Sequence, residues 1–242
     1  TKYISLTAQT TGEPQEGYMI GNVSMDQNRI EVAGAESLVS KISTASVIMD
    51  VSDSSEDISI YADVLLYDAE GNVINAESLL MKTKSVRVSA QILATKDVPL
   101  IFQTMGNPAQ GYMATGMIES TVQKVQIAGA SAVLAGISEI SIPEEALNIT
   151  GQNVDLLATI DVRDYLPDNV VLTEGFNGKV TVTVYIEPIK TRELEIVKDN
   201  IRILGLPRDF TAEIEDSAEV YVIKVSGLNA QIDTLNPAII YG

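Results

Sequence analysis

The chain has 242 residues, 45 % hydrophobic and 20 % charged, with a mean hydropathy of +0.15; this is a globular composition with room for one to three domains. Sixteen Lys and Arg stand against 33 Asp and Glu, a formal net charge of −17, which repels phosphate and argues against nucleic acid or an anionic lipid surface as a partner. The absence of Cys and His excludes a disulfide framework, thiolate and imidazole metal sites and the commonest general base, so no metal and no cofactor is expected.

Along the chain the first element is a turn, Q-T-T-G-E-P-Q-E-G-Y-M at 9–19, with Pro14 and Gly17 as turn formers. The Tyr18-Met19 pair after it reads as an aromatic that pins a strand to its own core rather than as a binding site. A strand follows at 29–33. After Gly34 the spacing changes to four, Leu38 to Ile42, which stacks these two on one face of a short helical turn. The run D-V-S-D-S-S-E-D at 50–57 is rich in oxygen but lacks the spacing of an EF-hand loop, and it reads as a solvated loop. I-S-I-Y-A-D-V-L-L at 58–66 alternates as a strand, D-A-E-G-N at 68–72 is a hairpin turn, and Val86, Val88, Ala90 and Ile92 mark the closing strand.

The pattern then recurs. Residues 103–113, Q-T-M-G-N-P-A-Q-G-Y-M, match 9–19 at seven of eleven positions with an offset of 94, and bring Gly106, Pro108, Gly111, Tyr112 and Met113 under Gly12, Pro14, Gly17, Tyr18 and Met19. K-V-Q-I-A-G at 124–129 repeats R-I-E-V-A-G at 29–34, with Val133 and Ile137 under Leu38 and Ile42. S-I-P-E-E-A-L at 141–147 is expected as one helical turn with Pro143 first, standing where the first copy has its acidic run. Val154 to Val162 are aligned with Ile58 to Leu66, and V-T-V-T-V-Y-I-E at 180–187 closes the copy. Ile223-Lys-Val225-Ser-Gly227 begins a third copy, continued by Leu235 and Ile239. Such a period is the size of a domain, too long for a solenoid unit. The reading is three modules, 1–98, 99–194 and a truncated 195–242, with short stiff joints near Asp97–Phe102 and Lys190–Ile196. The fold class is all-β: tandem small antiparallel modules with short helical turns.

No nucleophile elbow, S-x-x-K, Walker loop or G-x-G-x-x-G occurs, and nothing among the many carboxylates singles out a catalytic pair. The chain is expected not to be an enzyme, with no catalytic, cofactor-binding or metal residues and no small-molecule substrate. Asn22-Val-Ser24 and Asn148-Ile-Thr150 are glycosylation sequons, on which no glycan is expected in a bacterial chain. The chain begins at Thr1 without a leader or a membrane-length apolar run, so any anchor is expected outside it.

The Gly-Tyr pairs 17–18 and 111–112, the strand-Gly-helical-turn elements 30–42 and 125–137, and the closing strand 180–187 together resemble tandem YbbR domains, over almost the whole chain. The resemblance implies small all-β folds with swapped hairpins, similar in shape to a domain of a ribosomal protein. It also implies membership of the CdaR family: an N-terminal membrane helix, modules on the extracytoplasmic side of the cell membrane, and regulation of the membrane diadenylate cyclase CdaA, hence of cyclic di-AMP synthesis, by protein–protein contact. It places no partner-binding residue. Two alternatives stand beside this reading, a structural surface stalk and a carbohydrate-binding accessory array; the absence of Trp counts against the second.

Overall fold

A computed structural model describes residues 1–201, 203, 205–214 and 218–236; Ile239 lies outside them. Aliphatic side chains at alternate positions build a succession of strands. These are β1 (Lys2–Thr11), β2 (Tyr18–Met25), β3 (Arg29–Ala33), β4 (Thr44–Asp50), β5 (Ile58–Asp63), β6 (Leu65–Tyr67), β7 (Leu80–Met81) and β8 (Ser85–Phe102). Then come β9 (Tyr112–Ser120), β10 (Lys124–Gly129), β11 (Ile140–Ile142), β12 (Leu156–Asp161), β13 (Val171–Leu172), β14 (Lys179–Pro188), β15 (Lys190–Val197) and β16 (Val220–Gly227). Three short helices, α1 (Glu36–Val39), α2 (Ser131–Ala135) and α3 (Asn229–Thr234), each follow the strand-Gly element of one copy. The all-β class holds.

The chain forms two compact units. The first comprises 1–100, 124–140 and 163–178, the second 101–123, 141–162 and 179–242. In the first unit, five strands run in the order β6-β4-β1-β3-β7. β1 pairs antiparallel with β3, but Leu6–Thr11 pair parallel with Ala45–Asp50 of β4. This parallel pair departs from the antiparallel pairing expected of the modules: the chain needs a crossover to return parallel, and β2, β3 and α1 supply it. Ile4, Leu6, Val32, Val47, Met49 and Val88 belong to the buried cluster beneath.

β8 is an 18-residue strand that changes partners at Ala94. Up to that residue it pairs with β2 and β5, closing the first copy. From Ala94 to Pro99 it pairs with β10, opening the second. The joint expected near Asp97–Phe102 thus lies inside a continuous strand. This pairing also explains why β10 and α2, although second-copy in sequence, fold with the first unit. The second joint is likewise inside strands: β14 runs to Pro188 and β15 starts at Lys190.

In the second unit three strands run β12-β14-β9, and the expected alternation of the closing strand is seen: Val180, Val182, Val184 and Ile186 are buried. β15 pairs with β16, and Leu194, Ile196, Leu228 and Ile232 are buried around them.

Strand register corrects the internal alignment. Ala62 faces Val86 and Ile160 faces Val180, so the true offset of the 58–66 segment is 98 and Ile58 corresponds to Leu156, not Val154. The added residues are the Pro143 turn, a 3₁₀ helix over Glu144–Leu147. The acidic run therefore corresponds to Asn148–Asp155. A second correction concerns the helical turns. Val39 and Leu134 are the buried members, whereas Leu38 is half-buried and Val133 is 37 % exposed. In a one-turn helix the inward direction is set by the tight exit at Gly34 and Gly129. There a Cβ would sit 2.8 Å from Leu79 or 3.2 Å from the Asn169 carbonyl.

Candidate interaction surfaces

The residues repeated between copies are chiefly devices of the fold. Gly17 and Gly111 have φ of +85° and +87°, a region that only glycine enters without strain. Each sits third in a turn closed by the following tyrosine, Tyr18 N–H to the Gln15 carbonyl and Tyr112 N–H to that of Ala109, both 3.0 Å. The turn then presents its own glycine carbonyl to the closing strand: Gly17 accepts from Thr95 at 2.7 Å, Gly111 from Ile189 at 2.8 Å. Tyr18, Met19 and Tyr112 are half-buried, and Met113 is 38 % exposed. Tyr18 also lines a shallow groove of about 570 Å³ with Glu13, Pro14, Gln126, Thr173 and Glu174, so its ring is not wholly taken up by the core.

The acidic run is structural as well. Asp50 Oδ1 accepts from the Ser52 amide at 2.9 Å and from its hydroxyl at 2.6 Å, and these bonds hold the Asp50 carboxyl below its ordinary value. Asn148 plays the same part in the second copy, its Oδ1 accepting the Thr150 amide at 2.9 Å. One sequon is therefore an Asx turn; the other, Asn22, lies exposed in a bulge of β2 between Ile20 and Val23. At the end of the run Asp57 accepts the Ile92 amide and Asp155 accepts the Ile186 amide, each at 2.8 Å. Among the described residues no cluster of three or more Asp or Glu is placed to hold a metal ion, and no helix is long and apolar enough to cross a membrane.

One device recurs in all three copies and escaped the sequence reading. Lys2 Nζ donates to the Ile42 carbonyl at 2.6 Å. Lys96 Nζ donates to Leu134 and Ile137 at 3.0 and 2.5 Å. Arg192 Nη1 donates to Ile232 and Leu235 at 3.3 and 3.2 Å. Each cation covers carbonyls at the end of a helical turn, which carry partial negative charge; those of Leu134 and Ile232 also accept the amides of Ile137 and Leu235. The sequence signal is weak: Lys2 and Arg192 stand near the start of β1 and β15, but Lys96 lies inside β8, so only the comparison of three copies brings them together.

The outer sheet faces are where the copies part. Ser24, Ser89 and Ser59 form one row across β2, β8 and β5, with a 2.9 Å contact between the Ser59 and Ser89 hydroxyls. The corresponding row across β9, β14 and β12 is Glu119, Thr183 and Leu157, the last 70 % exposed. There Tyr185 donates its hydroxyl to Glu119 at 2.6 Å, which raises the Tyr185 pKa.

The protein-family profile described as "YbbR-like protein" matches residues 4–90 and 98–186. No curated protein matches. Two solved structures are similar to this chain. One is a YbbR-like protein from Streptococcus pneumoniae TIGR4, 13 % identical, covering 77 % of this chain and 94 % of that one with a TM-score of 0.32. The other is SuR18C from Streptococcus thermophilus, 18 % identical, covering 40 % and 86 % with a TM-score of 0.31. With both copies matched in order, and with turn, strand and helical-turn devices repeated between them, the chain belongs to the YbbR-like family, a family of non-enzymatic modules.

Proposed function

We propose that the chain is a non-catalytic regulatory array on the extracytoplasmic side of the cell membrane, acting by protein–protein contact to modulate a membrane diadenylate cyclase and so cyclic di-AMP synthesis. The observation that carries this reading is the contrast between scaffold and face. The two copies keep the same glycine turns, Asx turns and buried strands, yet the Ser24–Ser89–Ser59 row becomes Glu119–Thr183–Leu157. A fixed scaffold with changed exposed side chains is what successive contact surfaces require, because specificity resides in the side chains and not in the backbone.

The test is capture from membranes. A version extended by its membrane helix co-purifies with a diadenylate cyclase, while the soluble chain alone retains little. Equal capture by the soluble chain would show that the module faces bind without help from a membrane anchor. Failure of both versions would sink the cyclase reading and favour a surface stalk.

A further inference from the structure

A trough of about 670 Å³ lies on the outer face of the five-stranded sheet, lined among others by Tyr3, Ser5, Thr7, Thr44, Ser46 and Tyr67. Strand geometry places these side chains together. Tyr3, Ser5 and Thr7 alternate onto the face opposite Ile4 and Leu6, which are buried. Thr7 is in register with Ser46, and Thr44 with Tyr67. Lys2–Ser5 of β1 pair with β3 and Leu6–Thr11 pair with β4, so the floor of the trough is a paired sheet that presents side chains.

Three observations define what would fit. First, no Asp or Glu lines the trough in a chain that carries 33 of them, and its one cation, Lys2, is already engaged by the Ile42 carbonyl. The polar groups left to a ligand there are therefore mainly the uncharged hydroxyls of Ser, Thr and Tyr. Second, its lining combines aromatic rings with hydroxyls. Tyr3 is 56 % exposed, with the Arg29 guanidinium 4.8 Å from its ring centroid. Third, Ser46 is only 3 % exposed, and its Oγ has no hydrogen-bond partner in the protein. A buried hydroxyl without a partner is costly, and a ligand hydroxyl in the trough would relieve it.

The fold does not demand these residues. The register of β8 with β10 puts Asp97, Pro99 and Ile101 in the second copy where the first has Tyr3, Ser5 and Thr7. The same strand forms with an acid, a proline and an aliphatic at those positions, so Tyr3, Ser5 and Thr7 are free to serve another purpose.

We propose that the trough of the first module binds a neutral β-linked glycan chain. A sugar ring presents an apolar C–H face that lies on an aromatic ring and a rim of hydroxyls that exchange hydrogen bonds with Ser and Thr. A β-1,4-linked chain is an extended flat ribbon, the shape of a sheet face. The inference stands on the first module alone and does not depend on the cyclase.

The experiment is a titration of the isotope-labelled chain with chitotetraose and, separately, cellotetraose, followed by amide chemical shifts. The expected result is a saturable shift confined to residues 2–9, 43–46, 67 and 71 with at least one of the two. Tyr3→Ala, and Thr7→Ile (which copies the aliphatic of the second module), should each weaken it at least tenfold while leaving the remaining spectrum unchanged. No saturable shift with either oligosaccharide, or shifts indifferent to both substitutions, would overturn the proposal.

Discussion

Asp57 accepts the backbone amide of Ile92 through Oδ1 at 2.8 Å, tying the end of the acidic loop to the strand that closes the first copy. Asp155 ties Ile186 in the same way. Asp57→Ala leaves that amide without its charged acceptor, and Asp155→Ala should do the same in the second unit. Each is expected to lower unfolding free energy by about 1–3 kcal/mol, measured by urea denaturation. Asp57→Asn, which keeps an oxygen acceptor, should lose less.

Two glycines of the same turn should respond differently to alanine. Both have positive φ, but a Cβ at Gly17 meets nothing within 4 Å, whereas at Gly12 it falls 2.0 Å from Ser52 Oγ and 3.0 Å from the Ser52 amide. Gly17→Ala carries the conformational strain alone, about 1 kcal/mol. Gly12→Ala adds the displacement of Ser52 from its bond to Asp50 and should cost roughly 1–2 kcal/mol more. Equal losses in thermal unfolding would contradict the close approach.

The cations that cover the helical turns invite a swap. Lys96→Met removes both carbonyl contacts and is expected to destabilise by about 1–3 kcal/mol. Lys96→Arg should recover most of the loss, because the third copy performs the same task with Arg192. Thermal unfolding of the two variants decides this; an Arg variant as unstable as the Met variant would show that the contact is incidental.

The Asp50 carboxyl carries a pH prediction. Its pKa is lowered by the Ser52 hydroxyl and amide, so the stabilisation it gives is present above the ordinary carboxylate value of 3.8 and fades as pH falls through the lower folded value. Asp50→Asn keeps an acceptor, as Asn148 does in the second copy, and cannot titrate. Urea midpoints followed from pH 6 downward should therefore fall less steeply in this variant than in the parent chain.

How much of this was legible in the sequence depends on range. The strands at 180–187 and 29–33 and the turns at Gly17, Gly111 and 68–72 follow from alternation and from glycine, because their causes lie within a few residues. The offset of the 58–66 segment was misjudged by two. Alternation has period two, so such a slip keeps every aliphatic residue on the correct face and goes unseen until Ala62 is placed opposite Val86. The parallel β1–β4 pair, the change of partners at Ala94 and the Lys96 contact with Ile137 link residues some forty apart, or depend on which strand edge is free. Composition holds no record of either. The hydroxyl-lined trough was hidden for the same reason: Tyr3, Thr44 and Tyr67 meet only once the sheet is assembled.

The central functional claim is tested most directly by the rate of cyclic di-AMP synthesis in cyclase-containing membranes, with and without this protein attached through an added membrane helix. The account predicts that the rate changes, in either direction, by at least about twofold (roughly 0.4 kcal/mol in the active population). It also predicts that the change disappears when the cyclase is present but the β modules are deleted. Identical rates in all three preparations would contradict it.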